Sequence, residues 1–171
     1  MLHRIYSTSA IELFAVELPD DTPPKDRDKL AVEQAVKAGV NLSNAALAYS
    51  DLTNANLTRA KLAGACLAYA NLTHARLNGA DLNGAWLACA NLTSAWLDGA
   101  DLNDACLAYA NLTNAWLNGA CLTRAWLVRA NLTRAKLVRA NLTRARLDGA
   151  KLNGVRLDGA NLTRARFDGA K

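Results

Sequence analysis

Few side chains in this sequence are of types that could do chemistry, and their spacing keeps them apart. The histidines are His3 and His74 alone, and His74 falls where Asn54 and Ser94 fall in neighbouring repeats, with no acid or nucleophile fixed beside it. Cys66, Cys89, Cys106 and Cys121 form no C-x-x-C pair, which speaks against a zinc ribbon or a disulfide miniprotein. The glycines fall singly, so no phosphate-binding loop is present. Catalysis needs an acid, base or nucleophile converging on a concave pocket. Nothing here converges, and the expectation is a non-enzymatic protein without cofactor or metal. What remains is recognition chemistry, carried by tryptophan and arginine.

Those side chains are positioned by a repeat. From Asn41 to Ala170 the sequence divides into 26 blocks of five without a slip, beginning NLSNA, ALAYS, DLTNA and ending NLTRA, RFDGA. The second position is leucine from Leu42 to Leu162 and Phe167 in the last block; the fifth is alanine except at Ser50 and Val155. On a helix a five-residue step would spiral the leucines around every side, by about 140° beyond one turn. On a flat strand an odd step flips them to alternate faces. A corner once per block removes the conflict: leucine and the alanine two residues before it point inward, and the other three positions point out.

The outward positions repeat at twenty. Tyr49, Tyr69 and Tyr109 share a column, as do Gly79, Gly99, Gly119 and Gly159, and Thr53, Thr73, Thr93, Thr113 and Thr133. Four blocks therefore close one coil, and the repeat makes a four-sided tube of about six and a half coils, about 30 Å long at the usual strand spacing. Cys66 and Cys106 then lie two coils, about 10 Å, apart, too far for a disulfide.

Together these features resemble the pentapeptide-repeat family, with its A(D/N)Lxx motif, over residues 40–170. The resemblance implies an all-β solenoid, a right-handed quadrilateral β-helix. Residues 1–39 read as an N-terminal cap: strands Leu2–Tyr6 and Ile11–Leu18 joined at Ser7-Thr8-Ser9, then a helix from Lys25 or Asp26 to Ala38 stopped by Gly39. Phage and prophage members of the family look similar there. The β-helix then fills 40–171. Its last coil leaves Leu162 and Phe167 uncovered, and because family dimers meet at their C-terminal ends, a C-terminal homodimer is expected.

Charge is segregated. The chain carries a formal +5, but residues 121–171 hold twelve basic and three acidic side chains. Four successive corners are Arg124, Arg129, Arg134 and Arg139, and Arg144 and Arg164 continue the first column. Trp96 and Trp116 share a face with Lys136 and Arg156; Trp86 and Trp126 share the opposite face with Cys106, Arg146 and Arg166. Exposed tryptophan beside arginine is enriched at protein interfaces. Ladder stacking beneath cations explains the same residues structurally.

The leading expectation is a rod-like scaffold docking an unidentified protein through Trp86, Trp96, Trp116, Trp126 and Arg124, Arg129, Arg134, Arg139, Arg144, Arg146 and Arg156. The basic coils give a second reading, electrostatic binding of nucleic acid. Ice binding by the threonine ladder is a weaker one. Some family members protect DNA gyrase by imitating duplex DNA, and the positive charge here disfavours that role. No apolar run reaches the roughly 18 residues of a membrane helix, and no secretory leader opens the chain, so no membrane partner and a cytoplasmic location are expected.

Overall fold

A computed structural model describes all 171 residues. Two strands, β1 (Leu2–Tyr6) and β2 (Glu12–Glu17), pair as an antiparallel hairpin, and one helix, α1 (Pro24–Lys37), follows. The hairpin turn is wider than the three serine and threonine residues suggest. It runs from Ser7 to Ile11, with Ser7 Oγ accepting the N–H groups of Ser9 and Ile11 and Ala10 left-handed at φ +60°. Proline enters the first turn of α1, where its missing N–H costs nothing, and Gly39, at φ +71°, ends it.

From Asn41 onward the chain is a tube. Single parallel bridges join each block to the one twenty residues on, from Asn41↔Lys61 to Arg146↔Arg166. Within every block the fifth-position N–H donates to the second-position carbonyl, as Ala95 does to Leu92 at 3.0 Å. The fourth residue is left-handed in all 26 blocks, with φ between +55° and +69°. A hydrogen-bonded turn with positive φ only at its third residue is a type II turn, so the tube is square because each side ends in one.

Backbone accounting explains the motif. First- and second-position N–H groups bond to neighbouring coils, as Cys66 does to Ala45 and Leu67 to Trp86, and so does the fourth, as Tyr69 does to Ala88. The fifth closes the turn. Only the third-position N–H is left over, and a polar backbone group needs an acceptor. An Asn or Asp at the first position supplies it: the Thr73, Thr93 and Thr113 amides donate to Asn71, Asn91 and Asn111 Oδ1 at 3.1–3.2 Å. Each threonine hydroxyl donates to the same oxygen at 2.6–2.7 Å. The hydroxyl hydrogens of Thr73, Thr93 and Thr113 are thus committed to their own asparagines.

The interior is leucine and alanine. Every second-position leucine from Leu42 to Leu147 and every fifth-position alanine from Ala45 to Ala150 is buried. Ser50, the polar exception, donates its hydroxyl to the Leu47 carbonyl at 2.6 Å. The cap covers the upper end: Tyr6 and Thr8 bond to the first coil, Glu33 accepts the Asn56 N–H at 2.7 Å, and Ile5, Ala31, Val32 and Ala35 join the core. The lower end is open, with Leu152, Leu157 and Phe167 half-buried and Leu162 exposed. No helix is long and apolar enough to cross a membrane.

Two stability consequences follow from stacking and corners. Leu97→Ala should cost about 2–5 kcal/mol, as for a well-packed core leucine, whereas Leu162→Ala, at a side chain 36% exposed, should cost only about 1–2 kcal/mol; guanidinium denaturation reads both. Arg144 has φ +59° between the like-charged Arg124 and Arg164 of its column. A left-handed non-glycine residue costs roughly 1–2 kcal/mol, so Arg144→Gly should stabilise the fold by about 1 kcal/mol despite the lost side chain.

Candidate protein-docking faces

The four sides of the tube are defined by their first-position columns. Face 1 carries Lys61, Asp81, Asp101 and Cys121; face 2 carries Cys66, Trp86, Cys106, Trp126, Arg146 and Arg166. Face 3 carries Asp51 and the Asn71–Asn131 column; face 4 carries Arg76, Trp96, Trp116, Lys136 and Arg156. The two tryptophan pairs therefore lie on opposite faces, and they differ in how far neighbouring residues occupy their rings.

On face 4 the rings are engaged. Trp96 and Trp116 stack with centroids 5.9 Å apart. Arg76 lies over Trp96 at 5.6 Å, and the Lys136 ammonium sits 3.6 Å from the Trp116 centroid. The pair is thus capped by a cation at each end, an arrangement that stabilises the ladder by itself. Arg156, below it, pairs with Asp158 at 3.1 Å. His74 stands nearby with Asn54, Asn56, Arg76 and Trp96, a setting with no carboxylate or second base.

Face 2 is different. Trp86 is 63% exposed, and its ladder neighbours are Cys66 and Cys106, so no ring or cation covers it. Trp126 has only Arg146, at 5.0 Å, on one side. The third-position column beside them is Ala48, Ala68, Ala88, Ala108 and Val128, and the corner column is Tyr49, Tyr69, Cys89, Tyr109 and Arg129. Tyr49 and Tyr69 stack at 5.0 Å with nearly parallel planes, and both are more than half exposed. A hydrogen bond with Cys89, then the charges of Cys89 and Tyr49, raise the Tyr69 phenol above its ordinary value. Between Ala46 and Val128 the three columns of this face carry no charged side chain. Its lower end is bounded by Arg129, whose guanidinium reaches the Tyr109 ring and hydroxyl, and by Asp148 held between Arg146 and Arg166 at 3.5 and 3.6 Å.

The arginine belt divides in two. Arg124 forms a bidentate pair with Asp104 at 2.6 Å, which holds that carboxyl below the usual aspartate range. Arg134, Arg139, Arg144 and Arg164 have no carboxylate within ion-pairing distance. Arg129 and Arg139 lay their stems over the next coil's glycines; a Cβ at Gly149 would meet Arg129 Cγ at 3.2 Å. The four free thiols are each half-buried, and no three His, Cys, Asp or Glu side chains gather closely enough to hold a metal ion.

All four tryptophans are exposed on their first-position columns, but no single column shows face 2 as a unit. Tyr49, Tyr69, Tyr109, Cys66, Cys89 and the alanine column belong to the same surface as Trp86 and Trp126. The signal was present: three adjacent columns lack charge over the same coils.

Overlapping matches to the family model for pentapeptide repeats run from residue 38 to residue 171. Among solved structures, Rfr23, a pentapeptide-repeat protein of the cyanobacterium Cyanothece 51142, is 38% identical over 55% of this chain and 65% of its own, with a TM-score of 0.53. A pentapeptide-repeat protein of the Arabidopsis thaliana thylakoid lumen is 33% identical over 53% of this chain and 63% of its own, with a TM-score of 0.51. QnrB1, a plasmid-mediated fluoroquinolone resistance protein, gives a TM-score of 0.62 over 73% of this chain and 78% of its own at 17% identity, a likeness of fold alone. The chain spans a little under two thirds of the length of the first two. No curated protein matches it. With its bridges at intervals of twenty and a left-handed corner in every block, this chain belongs to the pentapeptide-repeat family and folds as its right-handed quadrilateral β-helix.

Proposed function

We propose that the chain is a non-enzymatic, rod-like scaffold that docks a protein partner on face 2. The observation that carries this reading is Trp86, exposed at the centre of an uncharged aromatic surface without a stacking partner. Interface energy concentrates in a few such anchors, where truncation costs about 2 kcal/mol or more. The one polar side chain of the leucine and alanine core, Ser50, is committed to the Leu47 carbonyl, so recognition belongs to the exterior. Four unpaired thiols suit a reducing compartment such as a cytoplasm, in a bacterial or phage setting.

A second reading rests on Arg134, Arg139, Arg144 and Arg164, cations without carboxylates of their own, which suit a nucleic-acid backbone. Gyrase protection by DNA mimicry has little support, since Asp104, Asp148, Asp158 and Asp168 are all tied to arginines. Leu162 and Phe167, at the open lower coil, are the surface for a C-terminal homodimer. Phe167→Asp should then reduce a dimer mass to 18.3 kDa in light scattering.

The two main readings separate in one set of measurements. For face 2, Trp86→Ala should weaken retention of a partner by at least about tenfold, Trp96→Ala should change it little, and high salt should leave it standing. For the belt, affinity for an oligonucleotide should fall steeply with salt and respond to Arg134→Ala and Arg144→Ala together. Equal loss with Trp86→Ala and Trp96→Ala would remove face 2 as the distinguishing surface.

A further inference from the structure

Face 2 differs from the others in a second way, through its backbone. The third-position N–H is the donor that coil stacking never uses. On face 3 asparagine and aspartate accept it from Thr53 to Thr133. On face 4 the Asn118 and Val138 amides find Asp98 and Asn118 in the coil above. On face 2 the first positions are Ala46, Cys66, Trp86, Cys106 and Trp126, none of which has a carbonyl or carboxylate side chain to lend. The amides of Ala48, Ala68, Ala88, Ala108 and Val128 consequently make no hydrogen bond within the protein. With the Asp148 amide below them, which is likewise unbonded, they form an unbroken row of six donors at the coil pitch of about 4.8 Å, five of them above the first carboxylate. The longest open run on another face is two, at Asn78 and Asp98.

We infer that face 2 binds an acidic segment of a partner protein, whose carboxylates accept this row of N–H groups while its apolar side chains cover Trp86 and Trp126. This deepens the docking role of face 2 and rests on it. Three observations select the partner's chemistry. The row consists of donors only, so the occupant must bring acceptors, and hydrogen bonds to carboxylates are about twice as strong as neutral ones. No carboxylate borders the row before Asp148, so an anion meets no like charge along five coils. Arg129 and Arg146 stand at its lower end and favour negative charge there.

A second copy of the chain fits this face poorly. Pairing face 2 with itself sets one row of donors against another, and each amide sealed from water without an acceptor costs about 1–3 kcal/mol. Area is adequate for a protein segment: Tyr49, Tyr69, Trp86, Tyr109 and Trp126 are 50–75% exposed, so at about 200 Å² per side chain they present on the order of 600 Å². A standard interface uses about 800 Å² per partner.

The test is an amide NMR titration of the full chain with a random glutamate–tyrosine copolymer, alongside a lysine–tyrosine copolymer and a glutamate homopolymer. The glutamate–tyrosine polymer should move the amide protons of Ala48, Ala68, Ala88, Ala108 and Val128 downfield, saturably. Trp86→Ala should weaken that response about tenfold, and the homopolymer should bind more weakly than the copolymer. The lysine–tyrosine polymer should leave the five amides in place. Shifts confined to the corners at Arg134, Arg139 and Arg144 would mean anion binding by the belt alone and would overturn the inference. An equal response to both tyrosine copolymers would overturn it too, leaving an apolar surface without acceptor preference. If the five amides stay still while Trp86→Ala abolishes retention of a partner, the acidic occupant is wrong and face 2 stands as a docking surface. If neither responds, both readings fall.

Discussion

The fold depends on one backbone constraint, a left-handed residue at the fourth position of every block. That conformation turns the chain through a corner after each short extended segment, and only with the corner can leucine and alanine both face inward. Sterics oppose it for most side chains, and glycine or asparagine would adopt it most easily. This chain nevertheless places tyrosine, histidine, cysteine and seven arginines there. The burial of leucine and alanine across neighbouring coils sustains those corners, because no coil could cover its own apolar side chains. Local strain and collective packing are therefore two halves of one arrangement.

The same corner decides where the molecule can be recognised. By closing a turn from the second to the fifth residue, it leaves the third-position N–H without a backbone partner. Blocks with asparagine or aspartate at the first position, such as those of face 3 from Asp51 to Asn131, resolve this internally. Face 2 gives up those acceptors for tryptophan and cysteine, leaving both its apolar surface and its donors unmatched. Face 4 also carries tryptophan, yet Arg76 and Lys136 occupy the exposed ends of its stack. Two faces with the same residue type thus differ in what they leave available.

Much of this was legible in the sequence. The leucine period and the interval of twenty follow from side-chain pattern, because interior packing admits one register. The hairpin and helix follow from turn residues, with the helix at Pro24–Lys37 against the expected Lys25 or Asp26 to Ala38 and the second strand at Glu12–Glu17 within the expected Ile11–Leu18. The candidate surface was legible only in part. Trp86 and Trp126 stand out by type, whereas the alanines beside them look like filler until three columns are read as one plane. The unfilled amides could not be seen without knowing which N–H groups the coils use. The threonine ladder is legible in the same partial way: its regular spacing shows in the sequence, while the turning of its hydroxyls to Asn71, Asn91 and Asn111 does not.

Rigidity gives the exposed columns their meaning. Side chains on a loop can adjust to a partner, and the ordering this requires subtracts from affinity. Here the backbone of each outward position is set by bonds to neighbouring coils, so the donors keep the coil spacing. Such a face gains in preorganisation and loses in adaptability; under the proposed docking it would select partners whose acceptors match the coil pitch. Arg129 and Arg146 add direction, since they close one end of the row while the hairpin cap, with Arg4 paired to Glu12, lies beyond the other. A segment lying along face 2 would therefore meet unequal ends, and that asymmetry gives the square tube a means of choosing which way its partner runs.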